Sequence, residues 1–396
     1  MKGLDELINQ TAKFLDIGKD GEYLRLGWVN IFPWEIIQDT LNQFSLLANG
    51  YQNFIFIGMG GSINIIKALK SFYQAKNIYT IDSLDPQAYD ELKDVDNPLI
   101  IAISKSGTTL ETKLITQKFS QNKIIWLKDK EGDLHIQFDA GNDIGGRFSA
   151  PNTLIFWAPL FLIFNQDFGK TQSIYNQFAS QIDQIRSEMW ALGEQIHQSN
   201  NQYFQIFCHP SLANWMTQLF QESLGSKIPD FHPKTIIGGE KIPDFYTINL
   251  SDDLTISLYQ AQILVASIAY FKNINFVNQP SVEKYKKLIN SDISPNDINK
   301  DLTLKNFKFV EIICYWAIAQ EERDQIKAQY QQTYPDKIIL LFEGSDWNHH
   351  SFQAAVDNPE TLFCLLTKQV DPILDKIALA TYKTLEGKSI YQIIQS

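Results

Sequence analysis

Short apolar runs alternate with segments of helical spacing in the first third of the chain. The runs are NFIFIGMG (53–60), NIYTID (77–82), PLIIAISKSG (98–107) and KIIWLKD (123–129). Each has the length and the apolar, Ile-containing composition that are typical of a buried strand. Such alternation indicates βαβ units, in which helices cover both faces of a parallel sheet.

A second series of the same kind begins near Gln202. Strands are predicted at YFQIFCHP (203–210), PDFYTINL (243–250), KIILLFEG (337–344) and TLFCLLTKQ (361–369). Helices are predicted at ANWMTQLFQESLG (213–225), TISLYQAQILVASIAYFKN (255–273) and DPILDKIALATYKTL (371–385). The run TLIFWAPLFLIF (153–164) is too long for one strand and predicts a buried helix, whereas NSDISPNDINKDL (290–302) predicts an exposed loop.

Length and composition add a domain count and exclude several classes of protein. A chain of 396 residues exceeds one ordinary core, so we expect two domains, 1–185 and 186–396, joined within the helical stretch 173–201. The net charge of −11 argues against nucleic acid as a partner. The N-terminus does not resemble a secretory signal, and the longest apolar run, 154–164, is too short to span a bilayer. We therefore expect a cytoplasmic protein with no membrane partner.

The number and spacing of the cysteines also fit a cytoplasmic protein. Cys208, Cys314 and Cys364 are far apart and show no CxxC spacing, so neither a disulfide framework nor a zinc site is supported. No metal and no cofactor are expected.

The first candidate site is the turn GMGGS, which follows the strand at 53–57. A strand that enters a helix through glycines exposes backbone N–H groups at a helix N-terminus, and such a terminus binds anions such as phosphate. Ser62 adds a hydroxyl donor. A tight turn without a ligand fits equally well, and the spacing matches neither a dinucleotide fingerprint nor a Walker motif.

The second candidate site is the loop ISKSGTTLET (103–112), which also follows a strand. It places Ser104, Lys105, Ser106 and Thr109 in one turn, where hydroxyl and ammonium donors could surround a phosphate. An ordinary helix N-cap is the alternative. Two strand-to-helix loops at the carboxyl edge of one sheet face the same crevice, which favours a phosphate pocket.

Two further motifs supply charged groups. In DIGGRFSAP (143–151), Arg147 follows a double glycine and suits the stabilisation of an oxyanion, although a surface arginine fits composition alone. In QLFQESLGSK (218–227), Gln218 and Glu222 share one helical face beside apolar residues. Desolvation there would raise the pKa of the carboxyl and make it a better base, whereas a plain exposed glutamate is the alternative.

The last two motifs lie later in the chain. NQPSVEKYKK (278–287) places Gln279 and Lys286 at and beyond a helix start, where a solvated helix is the alternative. GSDWNHHSFQ (344–353) holds the adjacent histidines His349 and His350. Histidine moves protons near neutral pH, and the other ligands that a zinc site needs are not evident in the sequence.

Taken in order, these motifs resemble the glucose-6-phosphate isomerase family. GMGGS resembles its GIGGS, SKSGTTLET its bacterial SKSGTTTET, GGRFS its arginine motif, QLFQESLGSK its QLFxESxGK and NQPSVEKYK its DQPGVExxK. The resemblance covers roughly residues 54–287. It implies two flavodoxin-like, three-layer αβα sugar-isomerase (SIS) domains with mostly parallel sheets, and a homodimer that acts on a hexose phosphate in glycolysis and gluconeogenesis.

The resemblance also implies a role for each matching residue. The sugar phosphate is bound by Gly61, Ser62, Ser104, Lys105, Ser106 and Thr109. Arg147 falls on the arginine that stabilises the enediolate, and Glu222 on the base that carries the proton between C1 and C2. Gln218 and Gln279 fall on substrate-contacting glutamines, and Lys286 on the lysine beside the ring oxygen.

The ring-opening histidine is the point where the pattern departs. Many family members carry it between the glutamate and the lysine, but only His232 lies in that interval, in an unrelated context. Some relatives carry this histidine in a later motif, HSTGQ. His349 has the same spacing to Gln353 as the histidine and the glutamine of that motif, whereas His350 fits another alignment. The spacing therefore favours His349 over His350. Further departures are Ser226 before Lys227, Asn278 for Asp and Ser281 for Gly.

Three other functions remain open from the sequence. A bifunctional phosphoglucose/phosphomannose isomerase would use the same chemistry. A non-catalytic SIS protein that senses a sugar phosphate would not need Glu222, Arg147 and Lys286 together. A dehydrogenase would need the dinucleotide fingerprint that the GMGGS turn lacks.

Overall fold

The computed structural model describes residues 2–92, 94–105, 107, 109–128, 135–136, 143–225, 227–289 and 302–394. The chain forms two compact units. The first unit comprises Met1–Asp82 and Asp94–Asn278, and the second comprises Ser83–Lys93 and Gln279–Ser396. The predicted loop at 290–302 lies outside the described residues, except for Leu302.

The first unit contains ten strands and ten helices in its described part. The strands are β1 (Lys19–Asp20), β2 (Tyr23–Leu24), β3 (Phe54–Ile57), β4 (Ile78–Ile81), β5 (Leu99–Ile103), β6 (Ile124–Leu127), β7 (His135–Ile136), β8 (Tyr203–Phe207), β9 (Lys234–Ile237) and β10 (Tyr246–Asn249). The helices are α1 (Lys2–Ile8), α2 (Phe14–Ile17), α3 (Trp34–Ala48), α4 (Gly61–Phe72), α5 (Leu110–Gln117), α6 (Leu154–Ile163), α7 (Phe168–Ala179), α8 (Ile182–Ser199), α9 (Ala213–Leu224) and α10 (Leu254–Lys272). The predicted buried helix at 153–164 is thus confirmed as α6.

Two parallel sheets form the frame of this unit. One has the order β4-β3-β5-β6-β7 and the other β10-β8-β9, and all neighbours pair in parallel. Strands β3 and β5 are fully buried, as expected for a parallel sheet covered on both faces. The chain leaves β3 for β4 on one side and returns to β5 on the other. In such sheets this switch point is where ligands bind, at the carboxyl ends of the strands.

One hydrophobic core spans both sheets and the helices around them. At its centre α10 packs along α8, and Asp253 caps α10 by accepting a hydrogen bond from the N–H of Ile256 at 2.9 Å. Among the described residues, α10 is the one helix that is long and apolar enough to cross a bilayer. Protein covers 83% of its most apolar stretch, as in the core helix of a globular unit.

The predicted join at residues 185 and 186 falls inside α8, which differs from the division in the structure. Arg186 explains why α8 belongs to the core rather than to a linker. Its guanidinium donates hydrogen bonds to the hydroxyl of Tyr259 at 2.9 Å and to the carbonyl of Val29 at 2.6 Å. These bonds connect α8 to α10 and to the N-terminal segment of the same unit.

The second unit is a smaller α/β structure. Its strands are β11 (Phe309–Cys314), β12 (Ile338–Glu343), β13 (Thr361–Thr367) and β14 (Ser389–Ile393), and its helices are α11 (Val282–Ile289), α12 (Gln320–Thr333), α13 (Gly344–His350), α14 (Phe352–Ala355) and α15 (Pro372–Thr384). The sheet has the order β12-β11-β13-β14 and is parallel throughout. The predicted α/β fold with mostly parallel sheets is therefore confirmed in both units.

The contact between α8 and α10 generates a stability prediction. A Cβ on Gly193 would lie 2.2 Å from the Oγ of Ser267 and 3.3 Å from the backbone nitrogen of Ile268. We expect Gly193→Ala to lower the free energy of unfolding by about 1–3 kcal/mol through overpacking. Urea unfolding measures this loss.

The matched control is the double variant Gly193→Ala, Ser267→Gly, which removes the opposing side chain. Compared with Ser267→Gly alone, it should lose clearly less stability than Gly193→Ala loses compared with the wild type. An equal loss in the two backgrounds would contradict the assignment of this contact.

Candidate active site

The glycine turn after β3 is the point where three segments of the first unit meet. Gly60 has a φ of +58°, a left-handed conformation that favours glycine. A Cβ on Gly61 would lie 2.9 Å from the Cα of Arg147 and 3.3 Å from the Oε1 of Gln218. Only a glycine lets the start of α4 approach Arg147 and α9 this closely. Ser62 follows in the first turn of α4 and is partly buried.

The loop after β5 is joined to the same region. The Oγ of Ser104 and the Oγ1 of Thr109 lie 2.9 Å apart, and Gly107, at a φ of +65°, donates its N–H to the carbonyl of Ser104 at 2.9 Å. The ammonium of Lys105 donates a hydrogen bond to the carbonyl of Ile144, just before the double glycine that leads to Arg147. Ser106 lies outside the described residues.

Arg147 is buried, and its guanidinium is bound on three sides. Nε donates to the Oγ of Ser223 at 2.8 Å, Nη2 donates to the carbonyl of Phe276 at 2.7 Å, and Nη1 lies 3.3 Å from the Oε1 of Glu222. Burial lowers the pKa of Arg147, and the charges of Glu222 and Asp20 raise it. Arginine remains charged in proteins, so this is a fixed cation.

Glu222 is 2% exposed and lies on the buried face of α9. Its Oε1 contacts Arg147, and its Oε2 accepts a hydrogen bond from the Nε2 of Gln218 at 2.8 Å. The predicted i, i+4 pair on one helical face is therefore present. A carboxylate held in this way beside a fixed cation can accept and return a proton without moving far.

Lys227, just beyond α9, is part of the same cluster. Its ammonium donates to the carbonyls of Asn275 at 2.8 Å and Asn278 at 2.7 Å. Burial lowers the pKa of Lys227 well below its usual value, the charge of Arg147 lowers it further, and Glu222 and Asp20 raise it. The first unit thus brings together two cations and one carboxylate.

In the second unit, residues 279–287 and the motif at 344–353 are joined to each other. The backbone N–H of Ser281 donates to the Oε1 of Gln353 at 2.9 Å, and the Nε2 of Gln353 lies 3.3 Å from the Oγ of Ser281. The rings of Tyr285 and Phe352 pack with centroids 4.7 Å apart. Ser281, which stands where the resembled motif has glycine, therefore contributes hydrogen bonds to this contact. Gln279 precedes this contact, and its backbone carbonyl accepts a hydrogen bond from the N–H of Val282 at 3.3 Å.

The other candidates of the second unit differ in their surroundings. Lys286 is exposed on α11, and its ammonium lies 3.4 Å from the Oε1 of Glu283. His350 is 3% exposed; its Nδ1 lies 2.6 Å from the Oγ of Ser351 and its Nε2 lies 3.7 Å from the Oδ2 of Asp346. His349 keeps partial exposure. His232 belongs to the first unit, where its backbone N–H donates to the Oε1 of Gln202 at 3.0 Å.

Sequence reasoning missed three parts of the Arg147 cluster. They are the hydroxyl of Ser223, the carbonyl of Phe276 and the ammonium of Lys227. Ser223 and Lys227 stand inside the motif QLFQESLGSK, so the motif was the available signal. The carbonyl of Phe276 has no side-chain signature, because any residue could supply it.

Comparison with known proteins identifies relatives of this chain. No family model matches it. A protein named "Probable glucose-6-phosphate isomerase" from Methanococcus maripaludis is 28% identical over 37% of this chain and 40% of its own length. The glucose-6-phosphate isomerase of Methanocaldococcus jannaschii is 34% identical over 32% of this chain and 36% of its own length. The chain thus has glucose-6-phosphate isomerases among its homologues, at low identity. This finding confirms the resemblance predicted from the motifs.

The extent of the similarity varies among these isomerases. The matches to the two archaeal relatives cover well under half of the length of each. The glucose-6-phosphate isomerase of Mesomycoplasma hyopneumoniae strain 232 is 25% identical over 76% of this chain and 78% of its own length.

A hypothetical protein from Thermus thermophilus has a similar fold, with a TM-score of 0.54 at 18% identity over 72% of this chain and 93% of its own. These findings support a sugar isomerase, and the specific reaction is a matter for proposal.

The ion pair generates a prediction that does not depend on the reaction. Because both side chains are buried, loss of one partner leaves an uncompensated charge in a region of low dielectric. We expect Arg147→Met and Glu222→Leu each to lower the free energy of unfolding by about 3–5 kcal/mol. The double variant should lose clearly less than the sum of the two. Urea unfolding of the four proteins gives this double-mutant cycle.

The matched control is the partly exposed pair Arg323 and Glu343, whose Nη2 and Oε1 lie 2.8 Å apart. Arg323→Met should cost about 1 kcal/mol or less, because solvent screens this pair. Additive losses in the Arg147 and Glu222 cycle would show that the two charges are not coupled.

Proposed function

We propose that this protein is a glucose-6-phosphate isomerase, which interconverts D-glucose 6-phosphate and D-fructose 6-phosphate through an enediolate in the cytoplasm. The observation that carries the proposal is the contact between the Nη1 of Arg147 and the Oε1 of Glu222 at 3.3 Å in a buried cluster. Isomerisation of an aldose to a ketose needs a base for a weakly acidic C–H bond and a fixed cation for the enediolate. The low-identity isomerase homologues support the same assignment.

Each residue then has a defined step. Glu222 takes the proton from C2 of the open-chain aldose; the electron pair of that C–H bond forms the C1–C2 double bond, and the π pair of the C1 carbonyl moves onto O1. Arg147 stabilises this negative charge on oxygen, and a proton passes from the hydroxyl on C2 to O1. Glu222 returns its proton to C1 as the oxygen on C2 becomes the carbonyl of the ketose. No oxidant or reductant is consumed, since one carbon is reduced as its neighbour is oxidised.

The phosphate of the substrate is assigned to the loops after β3 and β5. Their hydroxyl and backbone donors lie at the carboxyl ends of neighbouring parallel strands, where α/β sheets bind ligands. The links from Gly61 to Arg147 and from Lys105 to Ile144 support this assignment. Binding energy from the distant phosphate orients the reacting carbons. Gln218 and Gln279 would contact the sugar, and Lys286 would assist ring opening.

The proposed reaction predicts the effect of removing the base. Glu222→Gln keeps the size of the side chain and removes its basicity, so kcat should fall by about 10²–10⁴-fold while sugar-phosphate binding persists. The measurement is a coupled assay that converts fructose 6-phosphate to glucose 6-phosphate, with calorimetry for binding. The exposed Glu194→Gln on α8 is the control and should keep normal turnover. Normal turnover of Glu222→Gln would refute the assignment of the base.

The same assay with mannose 6-phosphate tests the alternatives. Turnover of both sugars would favour a bifunctional phosphoglucose/phosphomannose isomerase. Binding without turnover of either sugar would favour a non-catalytic sugar-phosphate sensor.

A further prediction distinguishes the roles of His349 and His350. Both ring nitrogens of His350 face polar partners in a buried setting, whereas His349 keeps exposure for proton exchange. We assign ring opening to His349. His349→Gln should therefore lower kcat by about 10²-fold on cyclic substrate without loss of stability. His350→Gln should lower the melting temperature. The reverse pattern in the coupled assay and in thermal unfolding would reassign the role to His350.

A further inference from the structure

The chain segment that closes the Arg147 cluster is held by two cations from different elements. Arg147 donates to the carbonyl of Phe276, and Lys227 donates to the carbonyls of Asn275 and Asn278. The side chain of Asn275 adds an internal turn, because its Oδ1 accepts the N–H groups of Val277 at 3.2 Å and Asn278 at 3.1 Å. We call residues 275–278 the clamped segment. Its position and that of Arg147 depend on each other.

The clamped segment is also bound to the N-terminal part of the unit, at the end of α2 and at the first residue of β1. The Nδ2 of Asn275 donates to the carbonyl of Lys19 at 2.7 Å, and the N–H of Phe276 donates to the carbonyl of Ile17 at 3.1 Å. Lys227 therefore acts at the centre of a small network. Loss of its ammonium would release two of the carbonyls that keep the segment in place.

The charges around Lys227 suit an anion that forms during a reaction. Arg147 lies in the turn at 146–148, Glu222 on α9 and Asp20 on β1, and these are the charged groups that act on Lys227. Asp20 is about half exposed, so solvent weakens its effect. One buried cation, Arg147, and one partly buried cation, Lys227, then act on one buried carboxylate. The hydrogen bonds of Lys227 go to neutral carbonyls, which orient the ammonium and leave its charge in place.

We propose that Lys227 is a positioning residue and a second cation of this site: it holds the clamped segment against Arg147 and adds positive charge that stabilises the enediolate. This inference rests on the proposed isomerase function. It assigns to Lys227 a role that lies beyond the base, the arginine and the phosphate loops. When Glu222 takes the substrate proton, negative charge passes from the carboxylate to the enediolate, and Lys227 with Arg147 keeps the site favourable for it.

The first experiment compares Lys227→Met with Lys227→Arg. Methionine keeps the length and the apolar character of the stem but removes the charge, so kcat should fall by about 10²-fold with KM changed less than about threefold. Arginine restores the charge and should recover at least about a tenth of the wild-type kcat. The control is Lys123→Met, since Lys123 also donates to a backbone carbonyl, that of Leu47 at 2.7 Å, away from the cluster. This control should keep wild-type kcat.

The second experiment measures kcat as a function of pH. A lysine with a purely structural role would not affect this profile in the same way. Lys227 must be protonated to act, and burial lowers its pKa well below that of an ordinary lysine. Wild-type kcat should therefore be maintained below that pKa and decline as pH rises through it. In Lys227→Arg the decline should move to higher pH, because a guanidinium keeps its proton. This test remains valid if Lys227→Met fails to fold.

Two outcomes would overturn the inference. One is a kcat of Lys227→Met within about twofold of wild type. The other is a decline of kcat at high pH that occurs at the same pH in Lys227→Arg as in the wild type. Wild-type protein without turnover of fructose 6-phosphate or mannose 6-phosphate would instead refute the proposed function. In that case the probe is arabinonate 5-phosphate, whose planar carboxylate has the charge of an enediolate. Binding at least about tenfold weaker in Lys227→Met would still support an anion-stabilising Lys227, and equal or absent binding would refute it.

Discussion

The buried ion pair between Arg147 and Glu222 is the constraint on which the site of the first unit depends. Two charges in a region of low dielectric are tolerated only when each has a close partner and further hydrogen bonds. Arg147 therefore needs the hydroxyl of Ser223 and the carbonyl of Phe276, and Glu222 needs the amide of Gln218. These requirements bring the turn at 146–148, helix α9 and the clamped segment to one place.

Close backbone approach completes this arrangement. Gly61 stands where a methyl group would collide with the Cα of Arg147, so the glycine turn after β3 lies directly against the backbone of Arg147. Lys105 makes the matching link from the loop after β5 to Ile144. Because β3 and β5 are neighbours in a parallel sheet, both loops emerge at the same edge. The fold thus places the hydroxyl and backbone donors of both loops and the buried ion pair in one unit.

The cations of this cluster are held mainly by neutral oxygen atoms. Lys227 is bound to two carbonyls, and Arg147 is bound to one carbonyl, one hydroxyl and one carboxylate. Carbonyl dipoles orient a cation without cancelling its charge. A protein with a net charge of −11 can in this way present local positive potential to an anionic ligand.

The sequence by itself determined the α/β class, the glycine turns, helix α6 and the pairing of Gln218 with Glu222. These features depend on short-range spacing: strands of four or five apolar residues, glycines at a strand end, and side chains one helical turn apart. The resemblance of the motifs to glucose-6-phosphate isomerases then implied that Arg147 and Glu222 act in one reaction. Nothing in the motifs required that the two side chains lie 3.3 Å apart and almost fully buried.

The tertiary structure alone decided the remaining features, because each depends on partners distant in the chain. Strand β11 escaped prediction since Glu311 interrupts its apolar run; that carboxylate is buried because the indole N–H of Trp347 donates to it at 3.0 Å. The division into units follows from the passage of Ser83–Lys93 into the second unit, where Asp85 accepts the N–H of Ala317 at 2.6 Å. Lys227 likewise gains its place from carbonyls that lie far along the chain. Local sequence records propensity, whereas burial of a charge is decided by which remote groups surround it.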